Sequence, residues 1–171
     1  MCLSDFISSG DKGNSIGLFL VSVSVENNTQ ISAPNDYIKI IRAFLADGIA
    51  EAMSEWLFNK TLQDVWQINK NDMKGMQAIK PAVGYPCYPD HSEKQTIFDL
   101  LQAEKHSHIK LTENFAMIPV SSVCGLYLIH PDARYFSVGK VFPDQMEDYA
   151  KRKNIDSAFL EKMLSTNIIN P

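Results

Sequence analysis

Two spacings of apolar residues run through this chain, one of period two and one near 3.6. Residues 16–25 (IGLFLVSVSV) are rich in β-branched side chains and end in alternating Val and Ser. That pattern predicts a strand with one buried face. A polar loop is expected over 27–34. A long helix is then predicted over 35–66. Tyr37, Ile38, Ile41, Phe44, Leu45, Ile49, Ala52, Met53, Trp56 and Leu57 recur in it at helical spacing, as the buried face of an amphipathic helix should. Gly48 in its middle lowers local helix stability slightly.

After a polar stretch at 69–76 the pattern breaks. Pro81, Gly84, Pro86 and Pro89 follow one another closely in the segment 79–94, IKPAVGYPCYPDHSEK. Each proline fixes its own φ and biases the preceding residue towards extended backbone. Gly84 can take φ > 0 where a side chain would be strained. The segment is predicted to be a rigid shaped loop presenting Tyr85, Tyr88, Lys80, Asp90 and His91. Proline clusters more often mark plain connectors. A second helix follows, started by a capping box of Asp90 with Glu93 or Ser92 with Gln95. Its buried face is drawn from Ile97, Leu100, Leu101 and Ala103. Three extended runs come next, at 110–120, 121–129 and 135–142. His130, Pro131 and Asp132 form a turn signal between the last two. Short helices at 144–152 and 156–164 close the chain. Grouped consecutive strands predict an α+β fold, a twisted antiparallel sheet flanked by helices, in one domain covering 1–171. No G-x-G-x-x-G follows a strand, which removes the basis for a dinucleotide fold.

Composition narrows the classes. A chain of 171 residues can bury a core, and its 45% hydrophobic and 21% charged residues are those of a globular protein. The net charge of −4 offers no electrostatic footprint for nucleic acid. Lys151, Arg152 and Lys153 form a basic run at a predicted helix end, where cations suit the dipole. Asp144, Glu147 and Asp148 suit the start of the same helix. No apolar run is long enough for a membrane span, and Met1 is followed by Asp5 rather than a basic leader. Cys2, Cys87 and Cys124 are odd in number and scattered, which reads as reduced thiols in a cytoplasmic protein without a metal site.

Candidate chemistry is sparse. The histidines are His91, His106, His108 and His130. His106 and His108 alternate as on an exposed strand or loop, and no carboxylate or thiolate completes a metal site with them. Cys87 lies near His91, but a cysteine in such a segment more often behaves as a small buried hydrophobe. Asp47 and Glu51, four apart, share one helix face, usually a solvated one. Tyr135 and Phe136 open the run at 135–142. If that end lies beside the proline loop, a cation at Lys80 and aromatic walls suit a small polar ligand carrying a heterocycle.

These residues resemble a known family. Residues 80–94 are similar to R-P-A-P-G-Y-P-x-x-P-[DE]-H-[ST]-E-K, a motif of the activation domain of vitamin B12-dependent methionine synthase. LTENFAMIPVSSVCGLY (111–127), HPDARYFSVGK (130–140), DQMEDYAKRK (144–153) and CLSDFI (2–7) match further blocks of that domain in order. The resemblance implies a C-shaped α+β domain that binds S-adenosylmethionine. It implies a part in methionine biosynthesis: the domain restores methylcobalamin from oxidised cob(II)alamin, with an electron from flavodoxin or a flavoprotein reductase. By position, the resemblance assigns Lys80, Ala82, Gly84, Tyr85, Tyr135 and Phe136 to the ligand, and Asp47, Glu51 and Tyr85 to contact with a cobalamin-binding domain. Lys80 stands where the family has arginine, keeping the charge but losing the planar fork that grips a carboxylate. The family's upstream segment, with an aspartate for the methionyl end of the ligand, has no counterpart among these residues, nor do the homocysteine, folate and cobalamin domains. The expectation is a module without those methyltransferase domains, acting in trans on cobalamin held by a partner chain. The alternative is an interaction domain that keeps the fold without the ligand.

Overall fold

The central strand is β5, Ser122–His130, and both of its edges are taken. The computed structural model describes residues 1–7, 15–25, 36–68, 73 and 75–168. β1, Gly17–Ser22, lies antiparallel to the first part of β5, with Gly17 opposite Tyr127 and Ser22 opposite Ser122. β2, Gln77–Ile79, lies antiparallel to its end, with Gln77 opposite His130. A separate hairpin pairs β3, Lys110–Leu111, with β4, Met117–Ile118. The expected extended run at 110–120 is therefore two short strands around a turn.

Period two along β5 divides the core. Tyr127 and Val123 face α1, Asp36–Lys60, which runs on into a π-helical turn at Thr61–Val65. Tyr127 stacks on Phe19, ring centroids 4.8 Å apart, and Phe58 and Leu62 cover the pair. Cys124 and Leu128 face the other way. Cys124 packs with Ile97 and Phe98 of α2, Glu93–Leu101, and with Ala103 of α3, Ala103–Ser107. Leu128 packs with Leu3 and Phe6 of an N-terminal 3₁₀ turn and with Ile79 and Cys87. The sheet thus lies between α1 on one side and α2 with the N-terminal turn on the other, the α+β arrangement the sequence predicts. α4, Pro143–Lys153, and α5, Ser157–Met163, form a satellite around Met146, Ala150, Leu160 and Leu164. Pro143 starts α4 at the position where a missing N–H costs nothing, and Asn154 ends it in the left-handed conformation.

The structure departs from the sequence reading elsewhere as well. Residues 135–142 form no strand; Val138 N–H bonds the Pro86 carbonyl instead, and Val141 makes a single bridge to Ile168. The central strand has no free edge to offer them. α1 buries Ala46, Ala50, Ser54 and Phe58, while Ile38, Ile41, Phe44, Leu45, Ile49, Met53 and Trp56, expected inside, are exposed. On α2, Leu100 points to solvent. The expected capping boxes do not form: Asp90 Oδ1 accepts from the backbone N–H and hydroxyl of Ser92, an Asx turn before the helix. Both histidines expected on an exposed strand or loop are exposed, but His106 lies in the last turn of α3, and His108 follows it as the C-cap with φ 57°. The loop at 27–34, Asn35 and most of 69–76 lie outside the described residues.

Candidate functional site

The proline loop is built on β5. Pro81 carbonyl accepts from Leu126 N–H and Val83 N–H donates to Cys124 carbonyl, at 3.0 Å each. This close crossing needs Gly125, because a Cβ there would collide with the Pro81 carbonyl oxygen and the Ala82 Cα. The chain then folds back on itself, with Gly84 N–H to Tyr88 carbonyl at 2.8 Å and Tyr88 N–H to Tyr85 carbonyl at 2.8 Å. Gly84 has φ +96° and lies against the His91 ring, where a Cβ would come within 2.7 Å. Both features admit only glycine.

Between this loop and α1 lies a cavity of about 340 Å³. Lys80, Ala82, Tyr85, Tyr135 and Phe136 line it, over a floor that includes Phe19 and Val123. Five of the six residues assigned to a ligand therefore converge. Gly84 does not line the cavity; it shapes the loop from behind. Glu51 lines it as well, on the α1 side, whereas Asp47 is exposed one turn away and does not. A wider groove of about 540 Å³ between α2 and β3 has a polar rim but only Phe98 as an aromatic group. The smaller cavity is the better candidate because aromatic walls and opposite charges meet there.

The polar groups of the cavity hold one another. Tyr85 hydroxyl donates to Glu51 Oε1 at 2.6 Å. That bond to a carboxylate, with burial second, pushes the Tyr85 pKa up to about 12, so the phenol keeps its proton. Lys80 Nζ donates to Ser54 Oγ at 2.8 Å and lies 3.5 Å from Glu55 Oε2. Lys80 N–H donates to Tyr135 hydroxyl at 3.0 Å, fixing the ring beside the loop. Ser54 and Glu55 escaped the sequence reading; Ser54 could have been signalled by its place on the buried side of α1, four residues after Ala50, and Glu55, which is exposed, by nothing in the pattern. Cys87 is buried, and burial raises its thiol pKa. His91 gives it no base, being engaged with Lys94. The small-hydrophobe reading of Cys87 fits this geometry.

Behind the loop two charged groups are buried, one of them Asp90, which was expected on the loop surface. Asp90 is 3% exposed and Lys94 5%. Asp90 Oδ2 accepts from Lys153 Nζ and Tyr149 hydroxyl, both at 2.7 Å, and Lys153 also pairs with Glu93 at 2.7 Å. Burial alone would raise the Asp90 pKa, but the bonds from Lys153, Ser92 and Tyr149 outweigh it and hold the carboxyl below its ordinary value. Lys94 Nζ donates to Phe115 carbonyl at 2.9 Å and meets His91 Nδ1 at 2.8 Å. An ammonium can only donate, so Nδ1 accepts and His91 is neutral. Burial and the Lys94 charge lower its pKa accordingly. Among the described residues no three His, Cys, Asp or Glu side chains gather as a metal site.

Both shifted groups have folded values below their unfolded ones. Their stabilising contribution is present at neutral pH and is lost as pH falls through the folded values. The melting temperature should fall first below about pH 6.5 through His91 and again below about pH 4 through Asp90. Thermal melts across pH 7.5 to 3 check this, and His91→Gln should abolish the first step only.

The family described as vitamin B12 dependent methionine synthase, activation domain, matches residues 1–154. The chain belongs to this family. A crystal structure of the MetH reactivation domain bound to AdoHcy is similar over 91% of this chain, with 39% sequence identity and a TM-score of 0.79. The match covers 52% of that chain, so this activation-domain chain spans about half its length. No helix among the described residues is long and apolar enough to cross a membrane.

Proposed function

We propose that this chain binds S-adenosylmethionine in the cavity between α1 and the proline loop, and presents its methyl group to cobalamin held by a partner. The single observation that carries the reading is the convergence of Lys80, Ala82, Tyr85, Tyr135 and Phe136 on one cavity. The cavity's size falls within the range of ligand pockets. Its chemistry fits the ligand in three ways. The faces of Tyr135 and Phe136 suit an adenine ring. The carboxylate of Glu51 suits a hydroxyl, an ammonium or the sulfonium. The ammonium of Lys80 suits the methionyl carboxylate, exchanging its Ser54 and Glu55 contacts for the ligand. Cobalamin, when a partner domain brings it, supplies the cobalt that takes the methyl group; this chain's residues bind and orient the donor.

The partners of this reading are a cobalamin-binding domain and, as electron donor, flavodoxin or a flavoprotein reductase. Tyr85, half exposed beside the cavity, and Asp47 on the adjacent turn of α1 form the surface proposed to meet the cobalamin domain. Pro86 after Tyr85, and the backbone hydrogen bonds that tie Tyr88 to Gly84 and Tyr85, restrict it, which reduces the entropy lost on docking. A cytoplasmic site of action, as a module in trans, belongs to the same proposal.

Calorimetric titration with S-adenosylmethionine tests the binding step. Lys80→Ala should weaken binding at least about tenfold by removing the cation that meets the carboxylate, a charge-assisted bond worth about 1.5–3 kcal/mol. Lys80→Arg should tighten it by restoring a bidentate fork. An unchanged affinity in both variants would count against Lys80 as a ligand group.

A further inference from the structure

α1 has two apolar faces, and its own fold uses only one. The face against the sheet is made mostly of small residues, Ala46, Ala50 and Ser54, followed by Phe58. Small side chains let the helix axis approach β5 closely. Largely on the other side, Ile38, Ile41, Leu45, Ile49, Met53 and Trp56 recur three or four residues apart and form a second stripe about 27 Å long. Leu45 is 57% exposed, Ile49 51% and Trp56 64%. Single exposed apolar residues are ordinary on a protein surface, but a continuous row of six on one helix face marks an interaction site. The 3–4 spacing is that of a helix presenting ridges to a neighbouring helix.

The comparison with the reactivation domain points to the occupant. That domain is about twice as long as the matched region, since the match covers 52% of it, and the two agree closely where they align. Half of the domain's polypeptide therefore has no equivalent in these residues, and it must pack on something. The stripe on α1 is the large apolar helix face that the described residues leave open.

We propose that the Ile38–Trp56 stripe docks the polypeptide equivalent to the other half of the reactivation domain, through an apolar helical face. The ligand cavity is on the Glu51 flank of the same helix, so docking along the stripe steadies α1 without covering Glu51 or Lys80.

Co-expression of this chain with the unmatched half of the MetH reactivation domain tests the proposal. Affinity purification on one half and light scattering of the product should give a 1:1 complex, with Trp56 emission shifted to the blue. Leu45→Glu with Ile49→Glu should weaken the complex at least tenfold, whereas Leu100→Glu, on the exposed side of α2, should not. Circular dichroism of the double variant should match wild type, because both positions are exposed. A wild-type homodimer broken by the same double change, without a mixed complex, would overturn the proposal in favour of a second copy of this chain. A monomer that captures nothing, or a mixed complex indifferent to Leu45→Glu with Ile49→Glu, would overturn it as well.

Discussion

Gly125→Ala should destabilise the protein by about 3 kcal/mol, the upper range for a methyl forced into packed surroundings. The new methyl would strike the Pro81 carbonyl oxygen and the Ala82 Cα, which are backbone and cannot rotate aside. Relief requires the loop to lift from β5, which breaks the Leu126–Pro81 and Val83–Cys124 hydrogen bonds. The loop also carries Lys80 and Ala82, so ligand response should be lost along with stability. For a domain of this size the melting temperature should fall by roughly 6–12 °C. Gly48→Ala is the contrasting change. Nothing lies within 4 Å of a Cβ at Gly48, which sits inside α1. That substitution should stabilise by about 0.5–1 kcal/mol through helix propensity. Paired melts of the two variants check both signs.

Lys153→Met has the second large effect. Lys153 is the cation between Asp90 and Glu93, and Asp90 is almost fully buried. Removing it leaves two carboxylates around one tyrosine hydroxyl, which holds a single proton. Breaking a buried pair in this way should cost about 3 kcal/mol. The loss falls on the junction between the proline loop and the α4–α5 satellite, since Lys153 and Tyr149 belong to α4 and Asp90 ends the loop. Adding Asp90→Asn should recover part of the stability by removing the stranded charge. Denaturant titration of the single and double variants measures that coupling.

Much of this was legible in the residues. β1 and β5 show their period-two faces, and Pro143 and Asn154 bound α4 by their own backbone preferences. The loop was legible from Pro81, Gly84, Pro86 and Pro89, and three lining residues of its cavity, Lys80, Ala82 and Tyr85, from the motif that contains them. What failed did so for physical reasons. The run YFSVGKVF at 135–142 has strand composition but meets a central strand whose edges are taken, so it wraps the loop instead. The large residues of α1 follow a helical period correctly, yet periodicity does not say which of two apolar faces meets the chain's own sheet. Ala46, Ala50 and Ser54, less hydrophobic and less conspicuous, take that place because they are small. Asp90 looked like loop surface because its partners, Lys153 and Tyr149, are distant in sequence. Glu51 belongs to the cavity through Tyr85, a contact that only the fold brings about.

The methyl donor is proposed to occupy the cavity between α1 and the proline loop. A crystal structure of this chain with S-adenosylhomocysteine tests it most directly. Ligand density is expected against Tyr135 and Phe136, with its carboxylate at Lys80 and a polar contact to Glu51. Density in the groove between α2 and β3, or an empty cavity at saturating ligand, would contradict it.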